Sequence, residues 1–159
     1  MLKEKDLFDG KRIRFQNGSG ITLESVVAAV KNKAYENAVP IACYSDQIKF
    51  GGLIGGSTEN CVVFYHPQHQ KDYFNFVVRV SRKERYAFLA VDTIGSSKMG
   101  GKINLKETRK EATRGESLSY KVGYNITASL MSLGANRSKM EQEQDWYNMF
   151  EDILEDITN

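Results

Sequence analysis

The chain has 159 residues, which is enough for one domain with its own hydrophobic core. It contains no run of about 18 uncharged apolar residues and no apolar leader-like segment, so we expect a soluble protein rather than a membrane or secreted one. Both cysteines, Cys43 and Cys61, lie in apolar runs, which favours reduced core side chains over a disulfide. These features predict a cytoplasmic protein with a single domain at 1–159.

Charge is divided unevenly along the chain. Up to Lys139 there are 22 basic and 13 acidic residues, a net charge of +9. The last 20 residues hold seven acids and no base, a net charge of −7, which gives the total of +2. A basic body followed by an acidic tail suggests that the tail is a place to look for a partner.

The first half of the chain predicts a strand and then a helix. Residues 12–16 alternate charged and apolar side chains, as a half-buried strand does. Thr22 is a suitable N-cap for the helix that follows, and Pro40 stops that helix from continuing. Apolar residues recur at helical spacing between these two positions: Leu23, Val26, Val27, Val30 and Ala34.

The middle of the chain is rich in strand signals. Residues 41–44 and 47–50 predict two short strands across a turn at Ser45 and Asp46. Residues 61–65 predict another strand. Residues 73–81 and 86–93 predict a hairpin, so we expect an antiparallel sheet with one polar face.

The last third is predicted to be helical. Residues 105–114 predict a short charged helix, and 117–134 fit both a helix and a strand, of which we favour the helix. Residues 138–157 predict a final helix, with its acids on the faces that contact water: Glu141, Glu143, Asp145, Glu151, Asp152, Glu155 and Asp156. The resulting fold class is α+β: an N-terminal helix, an antiparallel sheet of about four to six strands, and a helical C-terminal third packed on one face. This order is similar to that of small bacterial chaperone-like α+β folds, a likeness of fold order that implies no function.

Two glycine-rich segments are candidate ligand loops. Residues 51–57 pair glycines in a way that permits close backbone approach, although a plain connection between strands explains them as well. Residues 95–102 resemble a phosphate-binding loop but have glycine where that motif needs lysine, so at most a weak anion-binding nest is expected. Its candidate residues are Gly95, Ser96, Ser97, Lys98, Gly100, Gly101 and Lys102.

The two histidines, His66 and His69, lie close to Cys61 but lack the ligand spacing of a zinc site. A polar turn between strands is the preferred interpretation, and no orienting group marks a catalytic pair with Cys61. We therefore expect no catalytic residue, no metal and no cofactor.

Two further surfaces bear on partners. The final helix has an apolar stripe that either packs on the sheet or binds a partner or second subunit: Trp146, Phe150, Ile153, Leu154 and Ile157. A run of basic residues is interleaved with acids, and no nucleic-acid motif accompanies it, so nucleic acid is not an expected partner. The basic residues of this run are Lys98, Lys102, Lys106, Arg109, Lys110 and Arg114.

The leading hypothesis is a non-enzymatic binding or protein-interaction module, with a protein partner or a homodimer. The alternative is a small-ligand or phosphate-binding enzyme built on the glycine loops 51–57 and 95–102. A third hypothesis is nucleic-acid binding through the basic run. A membrane is not an expected partner.

Overall fold

A computed structural model describes residues 1–16, 20–52, 54–97 and 137–159. Six strands and two helices follow one another in these ranges. The elements are β1 Leu2–Lys3, a single 3-10 turn Glu4–Asp6, β2 Phe8–Gln16, α1 Leu23–Glu36, β3 Ala42–Phe50, β4 Ser57–Tyr65, β5 Asn75–Lys83, β6 Tyr86–Ile94 and α2 Arg137–Thr158. The α+β class is therefore confirmed. The predictions for 105–114 and 117–134 concern residues outside the described ranges and stay predictions. The single-domain prediction includes those residues and stays a prediction as well.

The strands form one sheet in the order β1-β3-β4-β5-β6-β2. Its neighbours are antiparallel except β1 and β3, which are parallel, so the sheet is mixed rather than antiparallel throughout. The predicted N-terminal helix is also wrong as a starting element, because β1 and β2 precede α1. Strand β1 pairs with β3 and strand β2 pairs with β6. Both partners lie far along the chain, so a local sequence pattern does not reveal these pairings.

The sheet is curved. Its outer strands β1 and β2 are joined by only five Cα steps, from Lys3 to Phe8, which span at most about 18 Å. Five strand spacings across a flat sheet amount to about 24 Å. The connection therefore fits only if the sheet bends to bring its edges closer.

Helix α1 forms as the sequence predicts. Ser25 N–H donates to the Thr22 hydroxyl at 3.0 Å and the Ser25 hydroxyl lies 2.9 Å from Thr22 N, a reciprocal cap of the first turn. Val26, Val30 and Ala34 are buried along one face, which packs towards the sheet and α2. The cap and the apolar stripe thus set both the start of the helix and the face it buries.

The predicted turn at Ser45 and Asp46 is wrong. Strand β3 continues through both residues and pairs with β4 along its whole length, from Ala42 opposite Tyr65 to Phe50 opposite Ser57. Nine consecutive pairings outweigh the turn preference of two polar residues. The hairpin of β5 and β6 is confirmed, with Glu84 at a positive φ of 55° in its turn.

Two apolar clusters lie on opposite faces of the sheet. The larger one joins the sheet to α1 and α2 and is centred on aromatic residues, including Phe64, Phe76, Trp146 and Phe150. The smaller one lies on the other face, which we call the open face, under the N-terminal segment: Leu7, Ile48, Cys61, Val63, Val77 and Ile94. In the described ranges, no helix is long and apolar enough to cross a membrane.

Candidate functional site

The glycine loop at 51–57 joins β3 to β4 in a tight hairpin. Gly51 and Gly55 both have φ of 82°, a conformation that other residues rarely adopt. A Cβ on Gly56 would lie 2.7 Å from the Phe50 carbonyl oxygen. The turn accounts for these glycines and the loop connects two strands, while a ligand at this loop stays a hypothesis.

The second glycine loop is described only in its first part. Gly95 has φ of 86° and ends β6, Ser96 is exposed, and Ser97 is buried. The Ser97 side chain hydrogen-bonds to the carboxyl of Glu143, a group of the protein itself. The other candidate residues of the anion site, Lys98, Gly100, Gly101 and Lys102, lie outside the described residues, as does the basic run from Lys98 to Arg114.

The apolar stripe of α2 lies in the core. Trp146, Phe150, Ile153 and Leu154 are at most 5% exposed, and Ile157 packs against the same cluster. The Phe150 ring stacks on Phe76 of β5 with centroids 4.5 Å apart, and Trp146 Nε1 donates to the Pro40 carbonyl at 2.8 Å. A partner would reach this stripe only after α2 had left the sheet.

A buried acid at the N-terminal half of α2 departs from the expectation that the acids of this helix are wet. Glu143 is completely buried, and Glu151 is 4% exposed. Glu143 lies three and four residues before Trp146 and Tyr147, which is the spacing of the apolar stripe and a signal that sequence reasoning missed. Burial raises the pKa of the Glu143 carboxyl, against the lowering effect of its hydrogen bonds with Ser97 and Tyr147.

Both histidines lie beside this acid, in the connection from β4 to β5. His66 Nδ1 accepts from Gln68 N–H at 3.1 Å, and His69 Nδ1 lies 3.1 Å from Asp72 Oδ2. The His69 ring stacks on Tyr73 at 4.2 Å. The prediction of a turn between strands is confirmed, and the rings extend the aromatic packing of α2, since His66 lies 5.6 Å from Trp146.

This cluster offers little for a metal. In the parts of the chain that the structure describes, no group of three or more His, Cys, Asp and Glu side chains is arranged to hold a metal ion. Burial lowers the pKa of His66, and the nearby His69 lowers it further. The cluster therefore consists of imidazole and aromatic ring contacts that attach α2 to the end of the sheet.

A different arrangement occupies the open face at the β2 edge. Arg12 and Arg14 of β2 lie opposite Ala90 and Phe88 of β6, while Ile13 and Phe15 point to the helical side. The Arg12 guanidinium carbon lies over the Phe88 ring, 4.1 Å from its centroid. The Arg14 guanidinium carbon lies 5.3 Å from the Tyr86 centroid. Each pair is a diagonal cross-strand contact of cation and aromatic ring.

Two more cations extend this arrangement to the β5–β6 turn. Lys83 pairs with Tyr86 across the hairpin, and Arg85 lies 5.4 Å from the Tyr86 ring and donates to its hydroxyl at 3.3 Å. All four cations are exposed, whereas the rings are half-buried. We call this group the cation–aromatic surface: Arg12, Arg14, Lys83, Arg85, Tyr86 and Phe88.

The charge of this surface is not cancelled locally. Among the described residues, none of its four cations forms a salt bridge. The paired positions of β2, β5 and β6 here hold no acid, and Glu84 lies at the hairpin turn. By contrast, the half-buried Arg79 further along β5 bonds Glu59 at 2.8 Å and Asp92 at 3.3 Å. Arg79 is thus a structural cation, whereas the four cations of the surface are exposed and form no salt bridge with a described acid.

Sequence reasoning recognised residues 12–16 as a strand but not as part of a site. The rings that complete the surface belong to a strand far along the chain, and only the β2–β6 register brings them together. No protein-family model, no curated protein and no solved structure matches this chain.

Proposed function

We propose that this protein is a non-enzymatic binding module that holds an anionic partner against the cation–aromatic surface. The observation that carries the proposal is the pair of exposed arginines whose guanidinium carbons lie over the Phe88 and Tyr86 rings and which form no salt bridge with a described acid. Arginine held on a ring loses less side-chain freedom when it binds an anion than a freely moving side chain does.

The position of the acids supports the same proposal. Helix α2 packs on the face of the sheet opposite to the cation–aromatic surface, and five of its acids are exposed: Glu141, Asp145, Asp152, Glu155 and Asp156. The exposed acids of α2 and the cation–aromatic surface thereby lie on opposite sides of the sheet. An anionic partner is attracted to one side and repelled from the other, which orients its approach.

The arginines have a second explanation, because β2 is an outer strand of the sheet. Charged side chains on an outer strand discourage pairing with another chain. Such protection requires charge of either sign, whereas binding of an anion requires positive charge. Replacing both arginines by glutamate therefore separates the two roles.

The test uses heparin as a polyanionic probe. We expect the wild-type protein to be retained on a heparin column and the double variant Arg12→Glu and Arg14→Glu to elute in the starting buffer. The matched control is Lys31→Glu with Lys71→Glu, which changes the net charge equally at exposed positions outside the surface. The control is expected to elute later than the arginine variant. Equal retention of the two variants would contradict the proposal.

The rival enzyme hypothesis gains no support from the described part of the glycine loops, since Gly51, Gly55 and Gly56 are accounted for by the hairpin.

A protein partner remains compatible with the proposal if its contact surface is acidic. In a homodimer, the acidic helix of one copy would contact the cation–aromatic surface of the other, and salt would weaken that contact. Sedimentation of the wild-type protein at low and at high salt concentration measures whether such a dimer forms and dissociates.

A further inference from the structure

The cation–aromatic surface has a layered geometry that a simple basic patch lacks. The Arg12 guanidinium carbon lies 4.1 Å from the Phe88 centroid, and the Arg14 guanidinium carbon lies 5.3 Å from the Tyr86 centroid. Both arginines are exposed to solvent although each lies over a ring. A guanidinium plane in this position is a platform on which a flat, unstacked base can lie.

The spacing of the two platforms distinguishes between forms of nucleic acid. Arg12 and Arg14 lie on the same face of β2, two residues and therefore about 7 Å apart. Bases in a duplex follow each other at about 3.4 Å and stack on one another. Platforms at twice that distance match an extended strand whose bases have separated.

The remaining two cations lie at the Tyr86 end of this surface. Lys83 is directly opposite Tyr86, and Arg85 contacts the same ring. The surface thus combines two stacking positions with two adjacent positive charges, which is the combination that single-strand binders use without reading sequence.

Resting on the proposed function, we propose that the anionic partner is a single-stranded nucleic acid, with bases stacked on Arg12 and Arg14 and phosphates at Lys83 and Arg85. The basic run at 98–114 argued against nucleic acid because acids interrupt it; the cation–aromatic surface lies on other strands, and its paired positions contain no acid. Stacking and phosphate contacts carry no sequence information, so we expect binding to be tolerant of sequence.

The experiment measures fluorescence anisotropy with a labelled 12-nucleotide oligouridylate and with a 12-base-pair RNA duplex. We expect the single strand to bind at least about tenfold more tightly, since its bases can stack on the guanidinium planes. Two neutralised phosphates, at Lys83 and Arg85, predict a slope near −1.4 of log affinity against log salt, or about sevenfold weaker binding at 200 mM than at 50 mM. Arg12→Glu with Arg14→Glu is expected to abolish binding, and Lys31→Glu with Lys71→Glu to change it less than threefold.

A charge-conserving variant tests the stacking itself. Arg12→Lys with Arg14→Lys keeps both charges but removes the planar groups, so we expect at least fivefold weaker binding of the oligouridylate and unchanged retention on heparin. Circular dichroism checks that every variant is folded.

The outcomes separate the two proposals. Retention on heparin with equal affinity for single strand and duplex, or with no loss in the lysine variant, overturns the single-strand proposal and leaves the anion-binding function standing. Failure of the wild-type protein to bind heparin or either RNA overturns both.

Discussion

The Tyr147 hydroxyl donates a hydrogen bond to Glu143 Oε1 at 2.7 Å and accepts one from the Phe74 N–H at 2.9 Å. Tyr147 is completely buried, so this hydroxyl links an acid of α2 to the backbone just before β5 inside the core. Burial raises the pKa of Tyr147 well above its ordinary value, and the neighbouring Glu143 carboxyl adds to the effect. The phenol therefore stays protonated and keeps both bonds over the whole neutral range.

Removing that hydroxyl is expected to destabilise the fold. Tyr147→Phe leaves the Phe74 N–H and a Glu143 oxygen without their partner, at a cost of about 1–3 kcal/mol in the free energy of unfolding. Urea titration measures the loss. Tyr35→Phe is the control, because Tyr35 is 89% exposed and its change is expected to be neutral. Equal stabilities of the two variants would show that the buried bonds contribute nothing.

Glu143 should make the stability depend on pH. Because its pKa is raised above 4.5, the folded state binds more protons than the unfolded state. The contribution is therefore complete below 4.5 and is lost as the pH rises through the raised pKa. Glu143→Gln cannot ionise and still offers an oxygen to Tyr147, so its stability relative to wild type is expected to increase across that window.

Urea titrations at a series of pH values measure this difference. Asn148→Ser, at an exposed position of the same helix, changes no titratable group and is the control. A difference between Glu143→Gln and wild type that stays constant with pH would mean that Glu143 does not titrate differently in the folded state.

The two thiols are expected to differ in reactivity. Burial raises the pKa of the Cys61 thiol to about 11, and the Asp46 carboxylate raises it as well. At pH 8 only about 0.1% of such a thiol is thiolate, the reactive form. Ellman's reagent should therefore leave Cys61 unmodified in the folded protein and modify it after denaturation. Cys43→Ser isolates this signal, and rapid reaction of that variant without denaturant would refute the expectation.

The β3–β4 hairpin provides a test within one loop. Gly56→Ala places a Cβ 2.7 Å from the Phe50 carbonyl oxygen, and the backbone shift this requires should cost about 1–3 kcal/mol. Gly52→Ala meets nothing within 4 Å and should change stability by less than about 0.5 kcal/mol. Thermal unfolding of both variants gives the comparison, and a Gly56→Ala protein as stable as Gly52→Ala would show that the loop relaxes freely.

Local patterns were reliable where one element carries its own signal. Thr22 caps α1, and the stripe from Trp146 to Ile157 packs on the core as one of its two interpretations required. Local sequence patterns gave wrong predictions where pairing with a distant strand determined the secondary structure. Ser45 and Asp46 resemble a turn until β4 pairs with them, and Leu2–Lys3 is too short to recognise until β3 provides its partner.

The candidate site shows the same difference between features set by local sequence and features set by tertiary contacts. The sequence by itself determined that residues 12–16 form a charged and apolar strand, that α2 has an apolar stripe, and that acids are concentrated at the C-terminal end, because periodicity and composition are local properties. Only the tertiary structure decided that the Arg12 guanidinium lies over Phe88, that Glu143 is buried beside Tyr147, and that the acidic helix and the cation–aromatic surface lie on opposite faces of the sheet. Those relationships depend on strand register and on the packing of α2, which join residues far apart in the chain through contacts that no short window of sequence contains.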